Sequence, residues 1–363
     1  MDGLTAIVPY AESALYQWRP TLAVPRPGQP LGAIDIDGFF GFAPSTARLR
    51  TPFLAGHLAV VHAAGSPDPT RSHFDAFKRM EFGEPGLPLG TVEGGWVARY
   101  LAATAGGSSS PLRAIAMHDF MPFSLAGARN ALPIPDLANF ALPGGPTSAA
   151  QRMALIDATY GRSRAPVGPA GLDTLASIQL LETVDFAGHV PANGAVYPDT
   201  QLGQRMKNTA ALILADIGVE VVLLDLPDFD HHAEMGPVTG AHARLLSELS
   251  RSLEAFYLDL LAHLDDYILV VVTEFGRRLI ENGSAGTDHG HGSAMFVMGG
   301  HVAGGVVHGE WPGLQVDDLD SGDLAITTDY RDVLGEVLLE RLGLPDLTPV
   351  FPQHTYRSPG IIF

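Results

Sequence analysis

The chain has 363 residues, 46% of them hydrophobic, enough apolar material for a large core built as one large or two closely associated domains. Its 22 basic residues stand against 40 acidic ones, and a formal charge of -18 supplies no basic stripe for a nucleic-acid backbone. With no cysteine there is no disulfide framework and no thiolate metal site, and no apolar run reaches the roughly 18 residues of a membrane-spanning helix.

The first clear strand is expected at 58–62, inside "GHLAVVHAAG". It leads into "SPDPTRSHFDAFKRMEFG", where Ser72 and His73 stand beside Arg71, Lys78 and Arg79. A hydroxyl near a metal ion loses its proton at low cost, and flanking cations hold a reacting oxyanion. Ser72 fits a helix N-cap equally well, answered by Asp75, with Phe74 and Phe77 then as core residues. The segments 83–95 and 130–169 hold many Gly and Pro residues and are expected to be turns and long surface connections, with Pro146, Thr147 and Ser148 opening at most a short helix.

Residues 201–217 read as a helix with Leu202, Met206, Ala210 and Leu214 on one side. A β-rich run at 219–224 follows and ends in "PDFDHHAEMG". Next, 239–264 carries Leu246, Leu249, Leu253, Phe256, Leu260 and Leu264 at helical spacing. The unbroken apolar run 267–272 predicts a strand buried on both faces, and the polar stretch "TEFGRRLIENGSAGTDHGHG" begins where it ends. A strand at 294–298 and a helix at 329–342 complete the series, which has no repeat period. Strand, polar loop, helix, strand, polar loop is the alternation of a parallel α/β sheet, whose ligand site lies outside the carboxyl ends of the strands.

Two of the polar loops have the composition of metal sites. Asp228, Asp230, His231 and His232 sit within five residues, and carboxylate with imidazole suits Zn, Mn, Fe or Ni. Asp288, His289 and His291 lie among glycines that let the backbone bend sharply. The bland readings are hydrogen-bonded histidines on a helix approach and a solvated loop, but together the clusters favour a metal over either. Mixed oxygen and nitrogen ligands point to Zn, Mn or Fe before Mg, with Ca a further candidate. Asp2 by itself reads as part of a frayed terminus.

Seven motifs in order, "DGLTAIVPY" at 2–10, "PTRSHF" at 69–74, "GGW" at 94–96, "DFDHH" at 228–232, "TEFGR" at 273–277, "GTDHGHG" at 286–292 and "GDLAITTDYRDVL" at 322–334, resemble domain-of-unknown-function family 1501 nearly from end to end. That family is similar to the alkaline phosphatase and sulfatase superfamily. The resemblance implies an α/β, alkaline phosphatase-like sandwich with a largely parallel central sheet flanked by helices, formed by residues 1–363 as one large domain with an inserted or cap segment around 83–200. It also implies a metal-dependent hydrolase, most simply a phosphoesterase acting on a small anionic substrate, with one or two divalent ions. Ser72 would be the nucleophile, with Arg71, His73 and Arg277 as further catalytic candidates and Arg79 as another anion clamp. The implied ligands are Asp2, Asp230, His232, Glu274 and either His289 or His291, with Asp228 an alternative to Asp230.

This sequence departs from the pattern in two places. Such relatives follow the strand-end carboxylate with a ligand histidine, whereas Glu274 is followed by Phe275, so either Asp288 or His289 folds back into that position or one metal site is altered. An apolar first strand is expected ahead of Asp2, where only Met1 stands, so the start is truncated or the strand is modified. A truncated start leaves a periplasmic or secreted location open, as many members look like exported proteins with twin-arginine signals; otherwise the expectation is cytoplasmic. The alternatives are a sulfoesterase, another metal-dependent transformation on this fold, and a non-catalytic anion-binding or structural protein with a degenerate site.

Overall fold

An uninterrupted apolar run buries both faces of a strand, and Leu58–Gly65 is buried along its whole length. In the computed structural model, which describes all residues except 89, 107 and 143, this strand lies inside a five-stranded sheet. Val307–His308 and Thr328–Asp329 pair with it in parallel, and Ser293–Gly299 pairs antiparallel. Ile268–Val271 adds antiparallel to Ser293–Gly299. The sheet is therefore mixed, where a largely parallel one was expected. The cause is local: the chain returns from Ile268–Val271 to Ser293–Gly299 through a polar loop with no crossover helix, and a parallel return needs one.

Ala131–Pro133, Ala114–Ala116 and Val221–Leu223 form a second sheet, parallel throughout, and Ile7–Val8, Gly41–Phe42 and Ile34–Asp35 form a small antiparallel one. The segment 83–200 thus supplies two strands of this sheet, of which Ala114–Ala116 pairs with Val221–Leu223 and Ala131–Pro133 with Ala114–Ala116. Its connection 130–169 is not simply surface loop. It contains the helix Pro146–Tyr160 and the start of Val167–Leu181. Proline is tolerated in the first helical turn, and a Cβ on Gly171 would come within 2.2 Å of the Tyr160 ring, so that glycine serves close packing. Residues 89 and 143, inside the two Gly- and Pro-rich segments, lie outside the described residues.

Helices Gln201–Ala215 and Ala241–Asp259 pack on one face of the five-stranded sheet through Met206, Leu246, Leu253 and Phe256, and Tyr330–Glu340 packs on the other through Val333, Leu334 and Leu338. The helix expected over 239–264 stops at Asp259 and continues as the 3-10 segment Leu261–Asp266, kinked at His263. Among the described residues no helix is long and apolar enough to cross a membrane.

One buried ion pair ties the chain's start to the polar loop. Arg19 is fully enclosed, 2.5 Å from Asp2, and also donates to the carbonyls of Leu279 at 2.8 Å and Arg278 at 2.6 Å. Burial opposes ionisation of Asp2, but the charge and hydrogen bonds of Arg19 outweigh it and hold the carboxyl below its ordinary 3.8. A folded-state pKa below the unfolded one means that the pair's contribution is complete above the ordinary aspartate range and is lost as pH falls through the depressed value. Arg19→Ala strands a buried carboxylate and is expected to cost roughly 3–5 kcal/mol in denaturant unfolding at neutral pH. A loss below about 1 kcal/mol would assign the pair no more weight than a surface bridge.

Candidate metal centre

Three strand ends and one return loop meet at a single point. After Leu58–Gly65 the chain runs to Ser72, whose hydroxyl accepts from the Asp75 amide at 3.4 Å and caps the helix His73–Phe82. That helix starts with His73 and closes on the left-handed Gly83. After Val221–Leu223 come Asp230 and His232, and after Ile268–Val271 comes Glu274. The return loop folds back on itself: Gly276 donates to His291 O at 2.7 Å, Gly290 to Gly276 O at 2.9 Å and Arg278 to Asp288 O at 3.0 Å. A Cβ on Gly290 would lie 2.3 Å from the Arg277 carbonyl carbon, which explains a glycine between two histidines.

Four side chains converge. His232 Nε2 and His289 Nε2 each lie 3.0 Å from Asp230 Oδ1, and His73 Nε2 lies 3.4 Å from it. Each imidazole is held from behind by an oxygen at Nδ1: Glu274 Oε1 at 2.7 Å for His73, Asp288 Oδ1 at 2.9 Å for His232 and the Arg71 carbonyl at 2.6 Å for His289. A carbonyl oxygen only accepts, so His289 Nδ1 carries the proton, and the carboxylates assign the same tautomer to the other two. Their Nε2 lone pairs then face one another and a carboxylate. His232 and His289 approach to 2.9 Å between Nε2 atoms, and His73 Nε2 is buried with no hydrogen-bond partner among the described residues. Converging lone pairs, each fixed by an outer acceptor, are the arrangement of histidine ligands around a cation. His73, Asp230 and His289 offer ligand atoms all within 4.8 Å of one another, and His232 closes the set from the exposed side.

Electrostatics keep the anionic member ionised. Partial burial pushes Asp230 upward, but the hydrogen bond and charge of Arg277 at 2.5 Å, then those of His73 and His232, hold it well below the usual carboxylate range. Burial likewise raises Glu274, and the N-terminal ammonium, the Thr273 hydroxyl and His73 bring it below its ordinary value. Asp288 is lowered chiefly by His232 and Asn282.

Of the residues singled out from the sequence, Asp230, His232 and His289 come together as ligand candidates. Glu274 and Asp288 stand one shell outside, as acceptors for imidazole Nδ1. His73, read as catalytic, joins these three as a further ligand candidate; apart from its place after a strand and a capping serine, nothing local in the sequence marks it. His291 turns away to Asp320 at 2.7 Å and the Ser66 carbonyl at 3.0 Å. Asp2 is spent on Arg19, and Asp228 is exposed in a left-handed conformation. The guanidinium of Arg71 binds Asp323 at 2.6 Å, Arg79 lies 3.3 Å from Asp68, and Arg277 spans Asp230 and the Thr287 carbonyl. Phe74 and Phe77, placed in the core by the capping reading, are 89% and 41% exposed because the helix packs through Ala76 and Met80. Phe275 is buried with its ring 4.7 Å from that of His73 and 5.0 Å from that of His289. It walls the site on its dry side, where a further ligand was expected.

A family model described as "Protein of unknown function (DUF1501)" matches residues 145–337, more than half of the chain. No curated protein and no solved structure matches.

The outer acceptors generate a graded expectation. Glu274→Gln loosens His73 and is expected to weaken divalent-ion binding about 10–100-fold, whereas His289→Ala abolishes stoichiometric binding and His291→Ala leaves it intact. Equilibrium dialysis against Zn, Mn and Fe with elemental analysis reads all three. Equal binding by His289→Ala and wild type would dismantle the proposed ligand set.

Proposed function

We propose that this chain, which belongs to the DUF1501 family, is a metal-dependent hydrolase of alkaline phosphatase-like architecture that acts on a small phosphate ester with Ser72 as nucleophile. The observation that carries this reading is the convergence of three Nδ1-anchored imidazoles on Asp230 at the carboxyl ends of three strands, immediately beside Ser72 in the chain. His73, Asp230, His232 and His289 are the residues that would hold the ion, and this nitrogen-rich set favours Zn, Mn or Fe over Mg. A divalent ion bound there supplies Lewis-acid polarisation of an ester oxygen.

The chain's own groups support the rest. Among the described residues the Ser72 hydroxyl is held only by a long 3.4 Å capping contact, and it stands at the N-terminus of a ten-residue helix whose dipole favours an anion. The side chains of Arg71 and Arg79 are occupied by Asp323 and Asp68, so helix amides, more than an arginine clamp, meet the substrate charge. In the transfer, Ser72 Oγ bonds to phosphorus as the ester P–O bond breaks and the alcohol leaves with a proton. Water then releases phosphate and restores the serine.

The test is hydrolysis of a panel of phosphate monoesters, phosphate diesters and sulfate esters, with metal content measured in the same samples. Ser72→Ala is expected to keep its metal and its fold and to lose turnover by roughly 10⁴-fold or more. His232→Ala is expected to lose metal and turnover together. Full turnover by metal-loaded Ser72→Ala would remove the serine from the mechanism, and preference for sulfate esters would reassign the substrate.

A further inference from the structure

The cavity beside the metal centre has the shape of a missing strand. It has a volume of about 1000 Å³ and is bordered along one side by Val221–Leu223 and along the other by Ile268–Val271. Among the described residues Val221–Leu223 pairs only with Ala114–Ala116, and Ile268–Val271 only with Ser293–Gly299, so each turns an unpaired edge toward the cavity. These two edges are half-buried, in contrast to the fully buried Leu58–Gly65 and Ser293–Gly299. Open edges with apolar side chains inside a layered α/β protein are an unsatisfied arrangement, because every edge amide and carbonyl there needs a partner.

The lining is apolar above and below. Met206, Leu253 and Phe256 line one face, and Tyr330, Leu334 and Leu338 line the other. Along the edge strand the side chains alternate as a central strand's do: Ile268, Val270 and Val272 point to the Tyr330 side, and Leu269 and Val271 to the Phe256 side. The loops after both edge strands run to the metal centre, through Asp230 and Glu274, so the two edges are parallel to one another. At that same end Met1 lines the cavity, with its wholly buried ammonium 2.9 Å from Thr273 Oγ1.

We infer that the cavity is the seat of one further β-strand, parallel to both edges, formed by the residues that directly precede Met1 in the polypeptide as synthesised. Running into the site from the cavity, such a strand delivers its carboxyl end to Met1 and pairs with both edges. It joins the five-stranded sheet and the parallel three-stranded one, with Ser293–Gly299 antiparallel inside the joined sheet. At about 3.3 Å per residue, about four residues match the flanking strands of three and four residues, and burial on both faces requires an apolar run. Extension also replaces a buried ammonium beside Glu274 with a neutral amide. This inference does not rest on the metal or hydrolase reading.

The experiment begins with the reading frame upstream of the Met1 codon. The frame is expected to continue with an apolar run immediately before Met1, and an in-frame stop there overturns the inference. The extended chain and the 363-residue chain are then compared by hydrogen exchange, with edge amides in Val221–Leu223 and Ile268–Val271 expected to slow by about a hundredfold and the thermal midpoint to rise. If the extended chain fails to fold, a synthetic peptide of the upstream residues is added to the 363-residue chain, with the same protection and a rise in midpoint expected. Unchanged exchange with both the extension and the peptide overturns the inference. So does binding of dodecyl phosphate in the cavity equally by both chains, which would make it a pocket for an apolar substrate tail.

Discussion

Everything at the candidate site depends on one carboxylate oxygen. Asp230 Oδ1 is the common neighbour of His73, His232, His289 and Arg277, which arrive from four separate places in the chain. No local segment brings them together; the sheet does, by ending several strands on one side. The outer acceptors do the remaining positioning. Glu274, Asp288 and the Arg71 carbonyl each consume an Nδ1 proton and aim the opposite nitrogen inward. Without those acceptors the rings would be free to turn toward water, and the convergence of lone pairs would relieve itself.

The buried pair of Asp2 and Arg19 supports this convergence from a distance. Its guanidinium fastens the carbonyls of Arg278 and Leu279, the residues directly after Arg277. Arg277 in turn pairs across the return loop with His289 as an isolated bridge. A loop with several glycines would otherwise lose much entropy on ordering. The carboxylate expected as a ligand therefore acts on the site through backbone, by way of Arg19, and its position in the chain gives no hint of that difference.

The candidate ligands were legible as residue types, and their grouping in space was not. Asp230, His232 and His289 could be found because acids and histidines crowd two short loops after apolar runs. Glu274 and Asp288 are the same residue types, but a carboxylate serves equally well as a ligand or as an imidazole acceptor, and only geometry separates the roles. His73 was overshadowed by the neighbouring hydroxyl. The fold shows the same division. Strands marked by unbroken apolar runs, such as Leu58–Gly65 and Ser293–Gly299, were readable, whereas Pro146–Tyr160 and Val167–Leu181 were obscured by prolines at helix starts and glycines used for packing. The mixed sheet was not readable, since strand direction follows from whether a return loop holds a helix.

The run 267–272 is the most informative difference. Its apolar continuity specifies burial on both faces and, by extension, neighbours on both sides, yet Ile268–Val271 stands half-buried with one open edge. Under the proposed strand that conflict disappears, and access to the metal centre changes with it. The cavity now reaches His73, Glu274 and Phe275 from the dry side. Once that side is filled, approach remains over Asp230, His232 and Asp288, whose side chains are 43%, 45% and 56% exposed. Phe275 then backs two imidazoles against a closed sheet and leaves the four converging side chains open only toward solvent. Under the proposed hydrolase reading, one dry wall and one open face suit a substrate that presents its anionic head and keeps the rest of its structure outside.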